Sequence, residues 1–368
     1  MKKIILVTNS FWNIVNFRQD LIKKLLEKNI KLILSSPPDS NLKKYDLSKI
    51  DYLPINYRRN TINIFENIYI IFFYLKKIFR HDPSVALIYT IKPNIFFSIS
   101  ALISLKKIKI YNFITGIGNL YFHGKLKKRL IFYLYKIDFL KSSKVIFQNV
   151  DDLNYFVLNK IVKKEKCLII PGSGVDILKF KFKSLKNNPS ENFNFLCVTR
   201  LIKHKGIEEL TKAAKLVKEE FPYVTFTLVG SFDDQYSSQI NTKLKNELRL
   251  IFKRIKYTEN VADLINDCDC FVLPSYREGT SRALLEAASV GRPIITSNVP
   301  GCNNIVLNDF NGYLCEPRNV ISLYECLIKM INTDFDKRNK MSINSRNYIK
   351  KEFEVNIINK KILETIEI

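Results

Sequence analysis

Short runs of β-branched and aromatic residues, alternating with stretches at helical spacing, constrain this chain more than any other feature of its sequence. KKIILVT (Lys2 to Thr8), KLILSS (Lys31 to Ser36), SVALIYT (Ser84 to Thr90), KIYNFIT (Lys109 to Thr115) and KVIFQN (Lys144 to Asn149) read as buried strands of a first half. FNFLCVTR (Phe193 to Arg200), VTFTLVGS (Val224 to Ser231), CFVLPS (Cys270 to Ser275) and PIITSN (Pro293 to Asn298) read as those of a second. Helical spacing lies between them at Phe17 to Lys28, Ile62 to Phe79, Asn94 to Leu105, Lys125 to Leu140, Ile207 to Glu220 and Ser281 to Val290. Strands alternating with helices imply parallel, doubly wound sheets, because a parallel pair needs a crossover that a helix supplies.

A chain of 368 residues is too long for one ordinary core. The junction falls near PGSGVD (Pro171 to Asp176) and the Lys-, Asn-, Pro- and Ser-rich stretch after it. The expected organisation is α/β, with two Rossmann-like domains over residues 1–183 and 184–368, facing each other across a cleft. A C-terminal helix could cross back to the first domain. Ligands of such sheets sit at the carboxyl ends of the strands.

Charge divides the halves. Residues 1–190 hold 34 Lys and Arg against 12 Asp and Glu, and residues 191–368 hold 25 against 23. A basic first half points to a polyanionic partner: anionic lipid, a phosphate-bearing substrate or nucleic acid. KLKKRLIFYLYK (Lys125 to Lys136) sets Lys and Arg beside apolar residues at helical spacing, which suits a helix at an anionic membrane surface. Ile62 to Arg80 offers a second apolar face, and packing of both helices on the sheet with a solvated basic edge is the other reading. The longest apolar stretches, around Tyr69 to Leu75 and Ile95 to Leu105, fall short of the ~20 residues needed to span a bilayer. The opening MKKIILVTNSFW lacks the long apolar core and small-residue cleavage site of a signal peptide. A cytoplasmic protein, peripheral on the inner face of the cell membrane, is expected. Seven Cys without a CxxC pair fit reduced, mostly buried thiols.

The chemistry concentrates in PSYREGTSRALLEAASVGRPIITSNVPG, Pro274 to Gly301. A strand ends at Ser275, a loop carries Glu278, Gly279, Thr280 and Ser281, and a helix begins. The positive end of that helix, with its outward N–H groups, seats a phosphate, and Gly279 lets the backbone approach closely. Glu286, one and a half turns in, can accept hydrogen bonds from a ribose diol. In TRLIKHKGI (Thr199 to Ile207), Arg200 ends a strand and Lys205 follows before a helix. Two cations converging on one point suit a diphosphate leaving group.

These residues resemble retaining glycosyltransferases of the GT-B fold, the large family 4, in particular enzymes of bacterial surface-polysaccharide and lipid-linked oligosaccharide assembly. Glu278 and Glu286 match the E-x7-E signature, Arg200 and Lys205 the R-x4-K phosphate clamp, and GRP (Gly291 to Pro293), PGSGVD and NGYL (Asn311 to Leu314) other landmarks. The resemblance implies catalytic roles for Arg200, Lys205 and Glu278, with Gly279, Thr280, Ser281 and Glu286 holding the donor. It implies a nucleotide-sugar donor, UDP-linked by family habit, and a lipid-diphosphate-linked sugar acceptor. No cofactor or metal is expected. Asp267-Cys268-Asp269 has the form of a DxD metal motif but lies before a buried strand, where a structural role fits.

On the acceptor side, ITGIGNLYFHG (Ile114 to Gly124) offers Thr115, Gly116, Gly118 and His123, with a plain tight turn and a loop histidine as the other readings. NSFWNIVNFR (Asn9 to Arg18) lacks the Gly-rich loop common in the family and resembles its WN.VNFR variant. There Asn16 and Arg18 are candidates, and helix capping with a solvated arginine is the alternative. Two rival functions remain: a UDP-sugar epimerase of the same two-domain architecture, and a non-catalytic basic nucleic-acid- or membrane-binding protein. The first needs its own acid and base. For the second, no recognition module is present.

Overall fold

The computed structural model describes residues 2–58, 63–117, 124–186, 192–232 and 240–368. The chain forms two units, Met1–Ser173 with Ile358–Ile368, and Gly174–Ile357.

Among the described residues the first unit holds seven parallel strands: β1 (Lys3–Val7), β2 (Lys31–Ser36), β3 (Ile50–Pro54), β4 (Val85–Tyr89), β5 (Lys109–Ile114), β6 (Ser142–Phe147) and β7 (Cys167–Ile169). Their order is β3-β2-β1-β4-β5-β6-β7, so the chain reverses its direction of travel across the sheet between β1 and β4. The helices are α1 (Phe11–Phe17), α2 (Gln19–Glu27), α3 (Ile64–His81), α4 (Ile91–Ile103), α5 (Lys125–Asp138) and α6 (Val150–Leu158). Side chains of a strand alternate between faces, and each face has its own core. Ile5, Val7, Ala86 and Ile88 pack with α3 to α6, whereas Ile4, Leu6, Val85 and Leu87 pack with α1 and α2. Helix starts are fixed by polar caps: the Asn63 side chain accepts from Phe65 and Glu66, and Asn149 accepts from Asp152.

The second unit holds β8 (Asn194–Val198), β9 (Thr225–Val229), β10 (Lys253–Ile255), β11 (Cys270–Leu273), β12 (Ile294–Ser297) and β13 (Gly312–Cys315), in the order β10-β9-β8-β11-β12-β13. All pair in parallel. Its helices are α7 (Ile207–Glu220), α8 (Thr242–Ile251), α9 (Val261–Asn266), α10 (Arg282–Val290), α11 (Val320–Ile331) and α12 (Phe335–Glu352). Here the reversal lies between β8 and β11.

A last helix, α13 (Val355–Thr365), carries Ile358, Ile362, Leu363 and Ile366 into the first unit's core. Residues 174–183, which the sequence reading gave to the first domain, belong to the second. Val175 and Phe180 lie in the second core, and the Lys183 amide donates to the Val290 carbonyl at 3.0 Å. Apolar anchors in a polar stretch move the boundary. NSFWNIVNFR is also largely helix rather than loop, because Ser10 caps α1 by accepting from Asn13.

Candidate functional site

β8 and β11 are the neighbours at which the second sheet reverses, and doubly wound sheets bind ligands at the carboxyl edge of such a pair. The segments leaving these strands carry Arg200 and Lys205 on one side and Glu278 on the other. After β8 the chain makes a short 3-10 turn, Lys203–Lys205, which stops at Gly206 with φ +70°. A Cβ there would lie 2.0 Å from the Pro274 carbonyl oxygen, so only glycine lets the Lys205 turn close against the end of β11. The Tyr276 amide then donates to the His204 carbonyl at 2.9 Å, joining the two loops.

The join brings Lys205 to Glu278. Its ammonium donates to Glu278 Oε1, and the two side chains are only 15% and 14% exposed. The hydroxyl of Ser275, a fully buried residue, donates to the same oxygen at 2.6 Å. Burial pushes the Glu278 carboxyl up. The Lys205 charge and hydrogen bond, the Ser275 hydrogen bond and the charge of His204 outweigh it and hold the group below the ordinary carboxylate value. Glu278 is thus an anion kept out of water by a matched partner.

The loop behind it is pinned from the far side. The Glu278 amide donates to the Pro300 carbonyl at 3.0 Å and the Ser281 amide to the Gly301 carbonyl at 3.1 Å. Gly301, at φ +80°, has the backbone of Glu278 against the place where a Cβ would stand. Gly279 and Ser281 are buried, and Thr280 is half-buried. Ser281 is the N-cap of α10 without a side-chain capping bond. Glu286, inside α10, accepts from Arg282 Nε at 2.9 Å, while Arg282 Nη1 donates to the Gly174 carbonyl at 2.9 Å. Burial pushes the Glu286 carboxyl up, and Arg282 opposes this only in part. Arg200 is exposed beyond the end of β8.

Of the acceptor-side residues, Asn16 is exposed on α1 and donates to the Trp12 carbonyl at 2.9 Å. Arg18 is not a solvated arginine. It is 4% exposed, with its guanidinium carbon 3.8 Å from the centroid of the Tyr89 ring, a buried cation–π stack. Thr115 and Gly116 follow β5 and are half-buried, Gly116 at φ +103°. Gly118 and His123 lie outside the described residues. Asp269 accepts from the Asn194 amide at 2.8 Å and Asp267 pairs with Lys183 at 3.5 Å, both structural contacts. Among the described residues no group of three or more His, Cys, Asp or Glu is placed to hold a metal ion.

Sequence reasoning gave no role to Ser275, Gly206, Arg282 or Gly301. Both glycines stood in view, one just before a helix and one just after NVP. What they permit is a contact with a distant strand end, which no local pattern encodes.

The glycosyl transferases group 1 family matches residues 179–348, most of the second unit. The N,N'-diacetylbacillosaminyl-diphospho-undecaprenol alpha-1,3-N-acetylgalactosaminyltransferase of Campylobacter jejuni is 27% identical over 85% of each chain. The UDP-Gal:alpha-D-GlcNAc-diphosphoundecaprenol alpha-1,3-galactosyltransferase of Escherichia coli is 32% identical over 58% of this chain and 57% of its own. Among solved structures, the sucrose-phosphate synthase of Thermosynechococcus elongatus superposes with a TM-score of 0.82 at 16% identity, over 100% of this chain and 98% of that one. Anabaena HepE in complex with UDP and glucose gives 0.80 at 18% identity, over 100% of both. Such low identities speak to the fold, which is GT-B. Residues 179–348 are a glycosyl transferases group 1 domain, set in a chain whose fold is GT-B.

Proposed function

We propose that this protein is a retaining, metal-independent glycosyltransferase that moves a hexose or N-acetylhexosamine from a UDP-sugar to a polyprenyl-diphosphate-linked sugar. The place of the reaction is the inner face of the cell membrane, in cell-surface glycan or protein-glycosylation assembly. The observation that carries this reading is the Lys205–Glu278 pair at the β8/β11 reversal, beside the start of α10.

The donor diphosphate sits at the start of α10 beside Gly279 to Ser281, where the positive end of the helix meets its charge while the Ser281 amide stays with the Gly301 carbonyl. Lys205 and Arg200 neutralise the charge that grows as the bond to the anomeric carbon breaks. Glu278, already ionised, orients the donor sugar. Glu286 accepts from the ribose hydroxyls. The departing phosphate takes the acceptor proton on the face it leaves, so the anomeric configuration is kept. The protein supplies position and charge rather than a covalent nucleophile.

The lipid-linked acceptor is supported by the named activities of the C. jejuni and E. coli relatives and by the surface of the first unit. On α3, Phe65, Phe72 and Phe79, seven residues apart, are 80%, 65% and 56% exposed. On α5, Leu126, Leu130 and Tyr133 also face outward, among Lys127, Lys128 and Arg129. Residues 64–141 contain thirteen Lys and Arg against three Asp and Glu. Exposed apolar stripes in a basic field suit an anionic bilayer surface. No described helix is long and apolar enough to cross a membrane.

The test is transfer. Purified protein is given UDP-, GDP- and TDP-sugars with polyprenyl-diphosphate-linked acceptors, and the product's anomeric configuration is read by NMR. Turnover that needs an added acceptor and retains configuration supports the reading. Interconversion of UDP-sugars without an acceptor favours an epimerase.

A further inference from the structure

Glu278 uses its two carboxylate oxygens unequally. The Lys205 ammonium and the Ser275 hydroxyl both donate to Oε1. Ser275 is fully buried just past the end of β11, three residues before Glu278, and its hydroxyl hydrogen is committed to that oxygen. Lys205 differs. Its side chain is longer and 15% exposed, and in the reaction proposed above its charge serves the departing diphosphate. An ammonium drawn to a doubly charged phosphate loosens its hold on a carboxylate, because the stronger anion wins the shared cation. Two donors on one oxygen are redundant while both stay, and the second becomes necessary when the first is drawn away.

We propose that Ser275 is a positioning residue that holds Glu278 Oε1 while Lys205 turns to the diphosphate, so that Oε2 is the oxygen presented to the donor sugar. The proposal rests on the transferase reading for its consequence in turnover, and on the observed hydrogen bonds for its geometry. The hydroxyl keeps the loop's one anion aimed through the step in which its ion pair is weakest. A purely packing role for Ser275 would need its volume and not its hydroxyl.

Ser275→Ala removes the hydroxyl with little change in volume. Transfer kinetics should show kcat falling on the order of tenfold or more, the cost of a lost hydrogen bond to a charged group, with donor KM and UDP affinity near those of the parent. The acid limb of the kcat profile should move to higher pH, because the lost hydrogen bond favours the ionised carboxyl. A parental kcat with a parental acid limb would overturn the proposal. So would a loss of UDP affinity as large as the loss of kcat, which marks general damage to the loop. A second readout does not depend on turnover: the Glu278 carboxyl, followed by 13C NMR in Lys205→Met and in Lys205→Met/Ser275→Ala. The double variant should titrate at higher pH than the single one, and coincident curves overturn the positioning role. If the Lys205 variants do not fold, the parent and Ser275→Ala give the same comparison. A carboxyl that responds to Ser275, in a protein that turns over no nucleotide sugar, rejects the transferase reading and leaves the geometry standing.

Discussion

Gly301→Ala tests how the site is held, by a methyl group placed outside it. At Gly301 a Cβ would lie 2.5 Å from the carbonyl carbon and oxygen of Glu278 and 2.6 Å from the Gly279 oxygen. Ordinary contact needs about 3.5 Å, so the Glu278 backbone must retreat by roughly 1 Å. The three nearest atoms are all backbone, so relief cannot come from the swing of a side-chain end. The position also has φ +80°, where an L-residue costs about 1–2 kcal/mol by itself. Displacing the loop strains the bonds from the Glu278 amide to Pro300 and from the Ser281 amide to Gly301, at 3.0 and 3.1 Å, which raises the total to about 2–3 kcal/mol. For a unit of this size that lowers the melting temperature by roughly 4–12 °C. The larger effect is on rate. On the proposed function Glu278 orients the reacting sugar, and an error of about 1 Å in such a group costs on the order of a hundredfold. The assay pairs thermal unfolding with transfer from a UDP-sugar, run well below the melting point so that the protein is folded. A folded variant with kcat within about twofold of the parent would show that Glu278 is not held from this side.

Three further outcomes follow from the charges and surfaces described above. Lys205→Met should cost about 3 kcal/mol near neutral pH, the low end for breaking a buried pair. Glu278 titrates below its ordinary value in the parent, so its share of stability is present above the unfolded pKa and lost as pH falls through the folded one. Without the Lys205 charge, burial raises the carboxyl relative to the parent against the Ser275 hydrogen bond that remains, so melting curves of the two proteins should converge as pH falls from neutral through the ordinary carboxylate range, and a gap independent of pH would contradict this. Glu286→Gln keeps the side-chain volume and an amide oxygen that can still accept from Arg282, so it should melt close to the parent, yet weaken UDP binding by about tenfold or more in calorimetry. The triple change Phe65→Ser/Phe72→Ser/Phe79→Ser should abolish flotation with anionic liposomes at low salt while leaving UDP binding intact, and undiminished flotation would remove α3 from the membrane surface.

The strands legible in the sequence and those that were not divide along a physical line. β1, β2, β4, β5, β6, β8, β9, β11 and β12 were all readable, and all lie inside their sheets, buried on both faces, where a parallel strand becomes a continuous apolar run. β3, β7, β10 and β13 were missed, and these are the four edges. IDYLP of β3 and KRI of β10 leave most of their residues partly exposed, so neither length nor alternation marks them out. The site divides in a similar way. Glu278, Lys205 and Glu286 could be named because EGTSRALLE and TRLIKHKGI, each at a helix start, resemble motifs of family 4 glycosyltransferases. Nothing in the spacing says that Lys205 and Ser275 share one oxygen of Glu278, or that Arg282 occupies Glu286. Those facts come from strand ends brought together by the order β8-β11-β12.

That order also ranks the acceptor-side residues, which sequence alone left level. The first sheet reverses between β1 and β4, as the second does between β8 and β11. Arg18 comes from the segment after β1 and stacks on Tyr89, the last residue of β4, so it spans the reversal itself. Thr90, the next residue, has φ +72° and ψ 164°, a conformation a β-branched residue adopts only at a cost of about 1–3 kcal/mol. Thr115 and Gly116 leave β5, the strand beside β4. Asn16 spends its amide on its own helix. Each unit therefore sets a cation, Lys205 or Arg18, at its point of reversal, and in both the cation is held against the neighbouring strand's end: by a carboxylate in the second unit and by an aromatic face in the first. The strand order therefore puts Arg18, rather than Asn16, at the first sheet's reversal, the edge at which doubly wound sheets bind their ligands.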